Sequence, residues 1–101
     1  MASIKKVYGY VRADRTITSG SGDFTVGQKV KSGVYDITFK TPFSDIPAVT
    51  ANCQEDQTNR GISIHISQID EGQAQLVVMN TSNQVPYDIS FFFIAMGPGD
   101  D

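Results

Sequence analysis

Residues 33–49, GVYDITFKTPFSDIPAV, restrict the fold more than any other stretch of this chain. Tyr35, Ile37 and Phe39 fall on one side of an extended backbone, and Asp36, Thr38 and Lys40 on the other. That is the two-residue alternation of a strand with one buried face. Pro42 and Pro47 then bracket a corner, Phe43-Ser44-Asp45-Ile46. Neither proline can donate to a ladder, so both suit strand ends. Phe43 is a large apolar residue inside that corner, and is expected to anchor it in the core.

The same alternation runs through the rest of the chain. Residues 6–12 set Val7, Gly9 and Val11 against Tyr8 and Tyr10, with Gly9 a possible bulge. After a turn at residues 13–15, a short strand is expected over residues 15–19 and another over residues 24–28. Residues 48–55 place Val49, Ala51 and Cys53 inward. Ile62, Ile64 and Ile66 alternate with Ser63, His65 and Ser67, the clearest strand pattern in the chain. Asp70-Glu71-Gly72 reads as a hairpin turn, and Ala74, Leu76 and Val78 as the return strand. The last strand is expected over residues 88–97, followed by a loose acidic tail at residues 98–101. No segment carries apolar residues at helical spacing over three turns. The expectation is one all-β domain over residues 1–101, an antiparallel β-sandwich.

The last strand departs from the one-face rule. Ile89, Phe91, Phe93 and Ala95 line one side, and Phe92, Ile94 and Met96 the other. A strand apolar on both faces needs cover on both, from a second sheet of the same chain or from another chain. A core of this size is marginal alone, so a homo-oligomer is the expected state.

Composition narrows function mainly by exclusion. A net charge of −3 with eight scattered Lys and Arg supplies no basic face for nucleic acid. No apolar run approaches the roughly 20 residues of a membrane span, so no membrane insertion is expected. No secretory signal pattern opens the chain, so it is expected to be cytoplasmic, to leave the cell by lysis or a dedicated machine into a virion or extracellular setting, or to have had its signal removed. With one histidine, His65, and one cysteine, Cys53, neither a catalytic set nor a zinc site can be assembled. Cys53 reads as a buried small hydrophobe. Asp56, Asp70, Glu71 and Asp88 lack calcium-loop spacing. A non-enzymatic protein without metal or cofactor is expected.

Binding then falls to loops. Two polar loops, residues 55–61 and 80–87, flank the isoleucine strand and its partner, and antiparallel pairing sets them at one end. Between them they hold Asn59, Arg60, Asn80, Thr81, Ser82, Asn83, Gln84 and Tyr87. Amides, hydroxyls, a guanidinium and an aromatic ring suit sugar hydroxyls and a sugar face. Two ordinary hydrophilic loops would carry the same residues.

ITFKTPFSDIPAV near the middle and FFIAMG at the end resemble the two signatures of the H-type lectin domain. The resemblance covers roughly residues 8–97, nearly the whole chain, and implies a six-stranded antiparallel sandwich that assembles as a trimer or a hexamer. It also implies binding of N-acetylgalactosamine-type sugars at subunit boundaries. Arg60 would match the arginine entering the isoleucine strand, Tyr87 the tyrosine before the last strand, and Asp23 an aspartate lent by a neighbouring subunit. The family's tryptophan–histidine pair falls near Thr81-Ser82, and its closing tryptophan is Phe93 here. This chain has no tryptophan. The ligand-binding set implied is Arg60, Tyr87, Asn80, Thr81, Ser82, Asn83 and Asp23. The same GVYDITFKTPFSDIPAV run, preceded by the glycine-punctuated SGSGDFTVGQKV, is also similar to small β modules of bacterial and phage proteins, many of them at the ends of tail fibres or in other surface proteins. That likeness implies host recognition by a virion protein, or a purely structural module of assembly without sugar binding.

Overall fold

The computed structural model describes residues 3–53, 62–80, 85–86 and 88–99. These form nine strands: β1 (Ser3–Val11), β2 (Ile17–Gly20), β3 (Phe24–Val26), β4 (Val34–Phe39), β5 (Ala48–Cys53), β6 (Ile62–Ile69), β7 (Gln73–Asn80), β8 (Val85–Pro86) and β9 (Phe91–Gly99). Six of the nine are six residues or longer, and β2, β3 and β8 are short. A four-stranded sheet runs β2-β1-β9-β5, and a five-stranded sheet runs β3-β4-β7-β6 with β8 paired to β7. Every pairing is antiparallel. The chain is an all-β antiparallel sandwich.

The core is the set of inward residues that the alternation selects. Val7, Val11, Phe91, Phe93 and Ala95 come from the first sheet, and Phe24, Tyr35, Ile37, Phe39, Ala74, Leu76 and Val78 from the second. Ring pairs stitch the layers: Phe24 meets Phe93 edge-on at 4.9 Å, and Tyr35 meets Phe91 at 4.8 Å. Such pairs add about 0.5–1.5 kcal/mol beyond burial of their area. Phe43 is buried as expected, edge-on to Phe39 at 5.1 Å, and its N–H donates to the Glu71 carbonyl. The corner between the prolines is thereby tied to the β6–β7 turn.

Four expectations shift by a few residues, each for a physical reason. Gly9 is not a bulge: it pairs in register with both Phe93 and Gly20, and the irregularity lies between Tyr10 and Val11. Glycine is required there because a Cβ would come within 2.3 Å of the Phe24 ring. Arg15 does not open β2. It takes a left-handed turn at φ 76°, and the strand begins at Ile17. The third strand ends at Val26, before Gly27 and Gln28. β9 begins at Phe91 and continues through Pro98 and Gly99, which pair with Ile4 and Ser3. Pro98 fits because β5 stops opposite Met96, leaving no second ladder to satisfy. Its carbonyl accepts from the Ser44 N–H and hydroxyl.

Among the described residues, the outer face of β9 has no cover. Phe92, Ile94 and Met96 are 44, 45 and 42% exposed. They stand beside Tyr10, Tyr8 and Lys6 of β1, and Tyr8 is 49% exposed. Cys53 is half-buried rather than fully buried and packs against the edge of the core.

Candidate functional site

Register decides which segments meet. Ile62 pairs with Asn80, so the chain entering β6 and the chain leaving β7 stand side by side. β8 adds to this end by pairing Val85 and Pro86 with Asn80 and Met79. Ile62 and Asn80, the described residues at the ends of the two polar segments, therefore meet at one end of the second sheet. Arg60, Thr81, Ser82, Asn83 and Tyr87, with the side chain of Asn80, lie outside the described residues, as do Asp56 and Asn59.

The described residues at this end form a charged cluster that the sequence did not reveal. Asp88 sits between position 87 and β9. One of its oxygens accepts from Lys29 Nζ at 2.6 Å, and the other from the Gly33 N–H at 2.6 Å. Tyr35 Oη lies 3.5 Å from the second oxygen and donates to the Ala13 carbonyl at 3.2 Å. The Arg15 guanidinium stacks over the Tyr35 ring at 4.3 Å, and its Nη2 donates to the Lys31 carbonyl. The turn that places Arg15 is closed by reciprocal backbone bonds between Arg12 and residues 15 and 16, and the Thr16 N–H donates to Asp14 Oδ1.

The electrostatics follow from these contacts. Burial would raise the Asp88 carboxyl, but the Lys29 ammonium and the Gly33 N–H together hold it below its ordinary value. Tyr35 is pushed up to about 12, first by burial and then by the negative Asp88, against the opposing Arg15. The Asp14 carboxyl is lowered by hydrogen bonds from Thr16. Asp88 is thus an anchor for the strand entry that follows position 87, and its lone pairs are engaged. Lys29 and Arg15 lie 14 residues or more from one another and far from Asp88 in sequence, so no local motif announced the cluster.

Asp23 lies elsewhere in the chain. It follows the crossing from β2 to β3, its carboxylate accepts from Ser21 Oγ at 2.5 Å, and its carbonyl accepts from the Lys40 N–H. Lys40 lies just past the end of β4, whereas Asn80 lies beyond the start of β4, where Val34 pairs with Val77. Within one subunit Asp23 and the Ile62–Asn80 end of the second sheet are therefore apart. His65 is exposed and pairs with Val77 on the outer face of the second sheet. Asp70 and Glu71 occupy the β6–β7 turn at the opposite end from Asp88, so these acids do not converge. Among the described residues no three His, Cys, Asp or Glu side chains are grouped to hold a metal ion. No helix of the described residues is long and apolar enough to cross a membrane.

A comparison with protein-family models matches residues 34–96 to the H-type lectin domain. That is more than half of the chain, running from β4 to the middle of β9. No curated protein and no solved structure matches.

Proposed function

Because the chain belongs to the H-type lectin domain family, we propose that it is a non-enzymatic carbohydrate-recognition module whose glycan site lies at the loop end of the second sheet, in a homo-oligomer. The family match over residues 34–96 carries this reading, and the Ile62–Asn80 register supports it by bringing both polar loops to one end. Arg60 and Tyr87 lead the site, the first as a donor to sugar hydroxyls and the second as a ring against the sugar face. Asn80, Thr81, Ser82 and Asn83 add amide and hydroxyl partners, and a neighbouring copy lends Asp23. The absence of tryptophan from the chain removes the largest stacking surface, so affinity for a single sugar is low and depends on multivalent display.

The outer face of the first sheet supports the oligomer, a trimer or a multiple of it. Tyr8, Phe92, Ile94 and Met96 make a contiguous exposed apolar surface on paired strands, of the kind that marks an association site. A glycan array tests the ligand reading with wild type and Arg60→Ala side by side. Loss of binding in the variant, with assembly intact, supports the loop-end site; equal binding by both excludes it.

A further inference from the structure

The outer face of the second sheet carries a polar recess that the loop-end reading does not use. It has a volume of about 160 Å³ and is walled by Asp36, Gln68, Asp70, Gln73 and Gln75. Ile69 and Ala74 also border it, but Ala74 is a core residue and Ile69 packs against the core, so the recess is mainly polar.

Gln75 is its centre. It pairs across the ladder with Asp36 on one side and Gln68 on the other. Its Nε2 donates to Asp36 Oδ1 at 2.9 Å, and its Oε1 accepts from Ser67 Oγ at 2.7 Å. The amide is thus held in one orientation before any ligand arrives. The ladder is irregular here: Ile66 pairs with Leu76 and Gln68 with Gln75, leaving Ser67 as an extra residue. The bulge puts Ser67 and Gln68 both on the exposed side, whereas strict alternation would have turned one inward. Two polar side chains therefore converge on Gln75 where a regular strand would offer one.

We propose that this recess binds one neutral, polyhydroxylated ring, such as a single sugar unit. No lysine or arginine lines it, so it offers nothing to an anion. Asp70 Oδ1 already accepts from the Gly72 and Gln73 N–H groups, so the aspartates are not poised together for a cation. Glutamine amides and a carboxylate mix donors and acceptors, which is what hydroxyl groups require. The volume falls below the roughly 300–1,000 Å³ of a drug-sized site, which limits the ligand to one ring. Gln68 lies six residues along β6 from Ile62, roughly 20 Å from the loop end at strand spacing. The two sites are therefore separate, and the recess stands or falls independently of Arg60.

The test is an amide-resolved NMR titration of the full chain with N-acetylgalactosamine, galactose, glucose and mannose in turn. With at least one sugar, the backbone and side-chain amides of residues 68–75 shift in saturable fashion, with a Kd of about 1–10 mM as expected for a few hydrogen bonds. Those shifts persist in Arg60→Ala and weaken at least about tenfold in Gln75→Ala. Shifts confined to the loop end, around Ile62 and Val85, overturn the recess while supporting the lectin reading. Shifts at residues 68–75 that survive unchanged in Gln75→Ala, or none there with any of the four sugars, also overturn it.

Discussion

Tyr35 and Asp88 tie three separate segments together with two side chains, and their titration reports whether the tie exists. Tyr35 is fully buried, yet its hydroxyl has partners in the Ala13 carbonyl and the Asp88 carboxylate. Its folded pKa of about 12 lies above the ordinary 10.0. Between those values the unfolded chain loses the phenolic proton first, so the unfolded state binds fewer protons and stability falls as pH rises. Ultraviolet titration is expected to show a tyrosine step near pH 12, and Tyr35→Phe to remove that step. The substitution also deletes a half-buried hydrogen bond, at a cost of about 1 kcal/mol. For Asp88 the sign reverses. Its folded pKa lies below 3.8, so on acidification the unfolded carboxyl takes its proton first, and stability is lost as pH falls through the folded value. Asp88→Ala strands the Gly33 N–H and unpairs Lys29, and should cost about 1–3 kcal/mol. Thermal melts would then show a fall of about 4–8 °C per kcal/mol, with the difference from wild type shrinking in acid. A difference that stays constant down to low pH would mean that the carboxylate's charge is not what matters.

Strand identity was legible in the sequence wherever one face is buried, because alternation needs only local information. Tyr35-Ile37-Phe39, the isoleucines of β6 and the Ala74-Leu76-Val78 row all sit where their spacing put them. What could not be read is what depends on the opposite sheet. Gly9 looks like a bulge in sequence, but its reason is the Phe24 ring above it, 15 residues away on another strand. Arg15 looks like a strand residue because nothing local marks a left-handed arginine; its guanidinium is held by Tyr35 and the Lys31 carbonyl. Of the candidate site, the β6–β7 pairing that sets Ile62 beside Asn80 was legible, while the Lys29–Asp88 contact was not, since 59 residues separate the partners. The Gly9–Phe24 contact yields a direct check on element packing. Gly9→Ala places a methyl group 2.3 Å from the ring, and should cost about 1–3 kcal/mol through overpacking. In a Phe24→Leu background the same change should cost about 1 kcal/mol less, a coupling that a denaturation double-mutant cycle resolves. Independent effects of the two substitutions would show that sheet–sheet contact is not why glycine stands there.

At the scale of the whole molecule, the sandwich has one wet face and one greasy face. The second sheet presents Asp36, Gln73, Gln75 and His65 outward. The first presents Tyr8, Phe92, Ile94 and Met96 outward, each between 42 and 49% exposed. Lys6 is the charged residue paired into the middle of that face, opposite Met96. A second copy is the cover that the oligomer reading supplies, and it bears on the sugar site because Asp23 and the loop end are separated within one subunit. Phe92→Asp puts a carboxylate in the middle of this face without touching the core, since the Phe92 side chain already points outward. On the oligomer reading, sedimentation should show a trimer or its multiple for the wild type and a folded single subunit for the variant. The same variant should lose glycan-array binding although Arg60 and Tyr87 are unchanged, because the neighbour's Asp23 has left and multivalent display is gone. Asp23→Asn separates those two causes: it should weaken binding while the assembly stays intact. If Phe92→Asp remains oligomeric, the copies meet through another surface. If it becomes a single subunit that binds each sugar as tightly as one wild-type site does, the loop end is complete within one chain and no neighbour contributes to it.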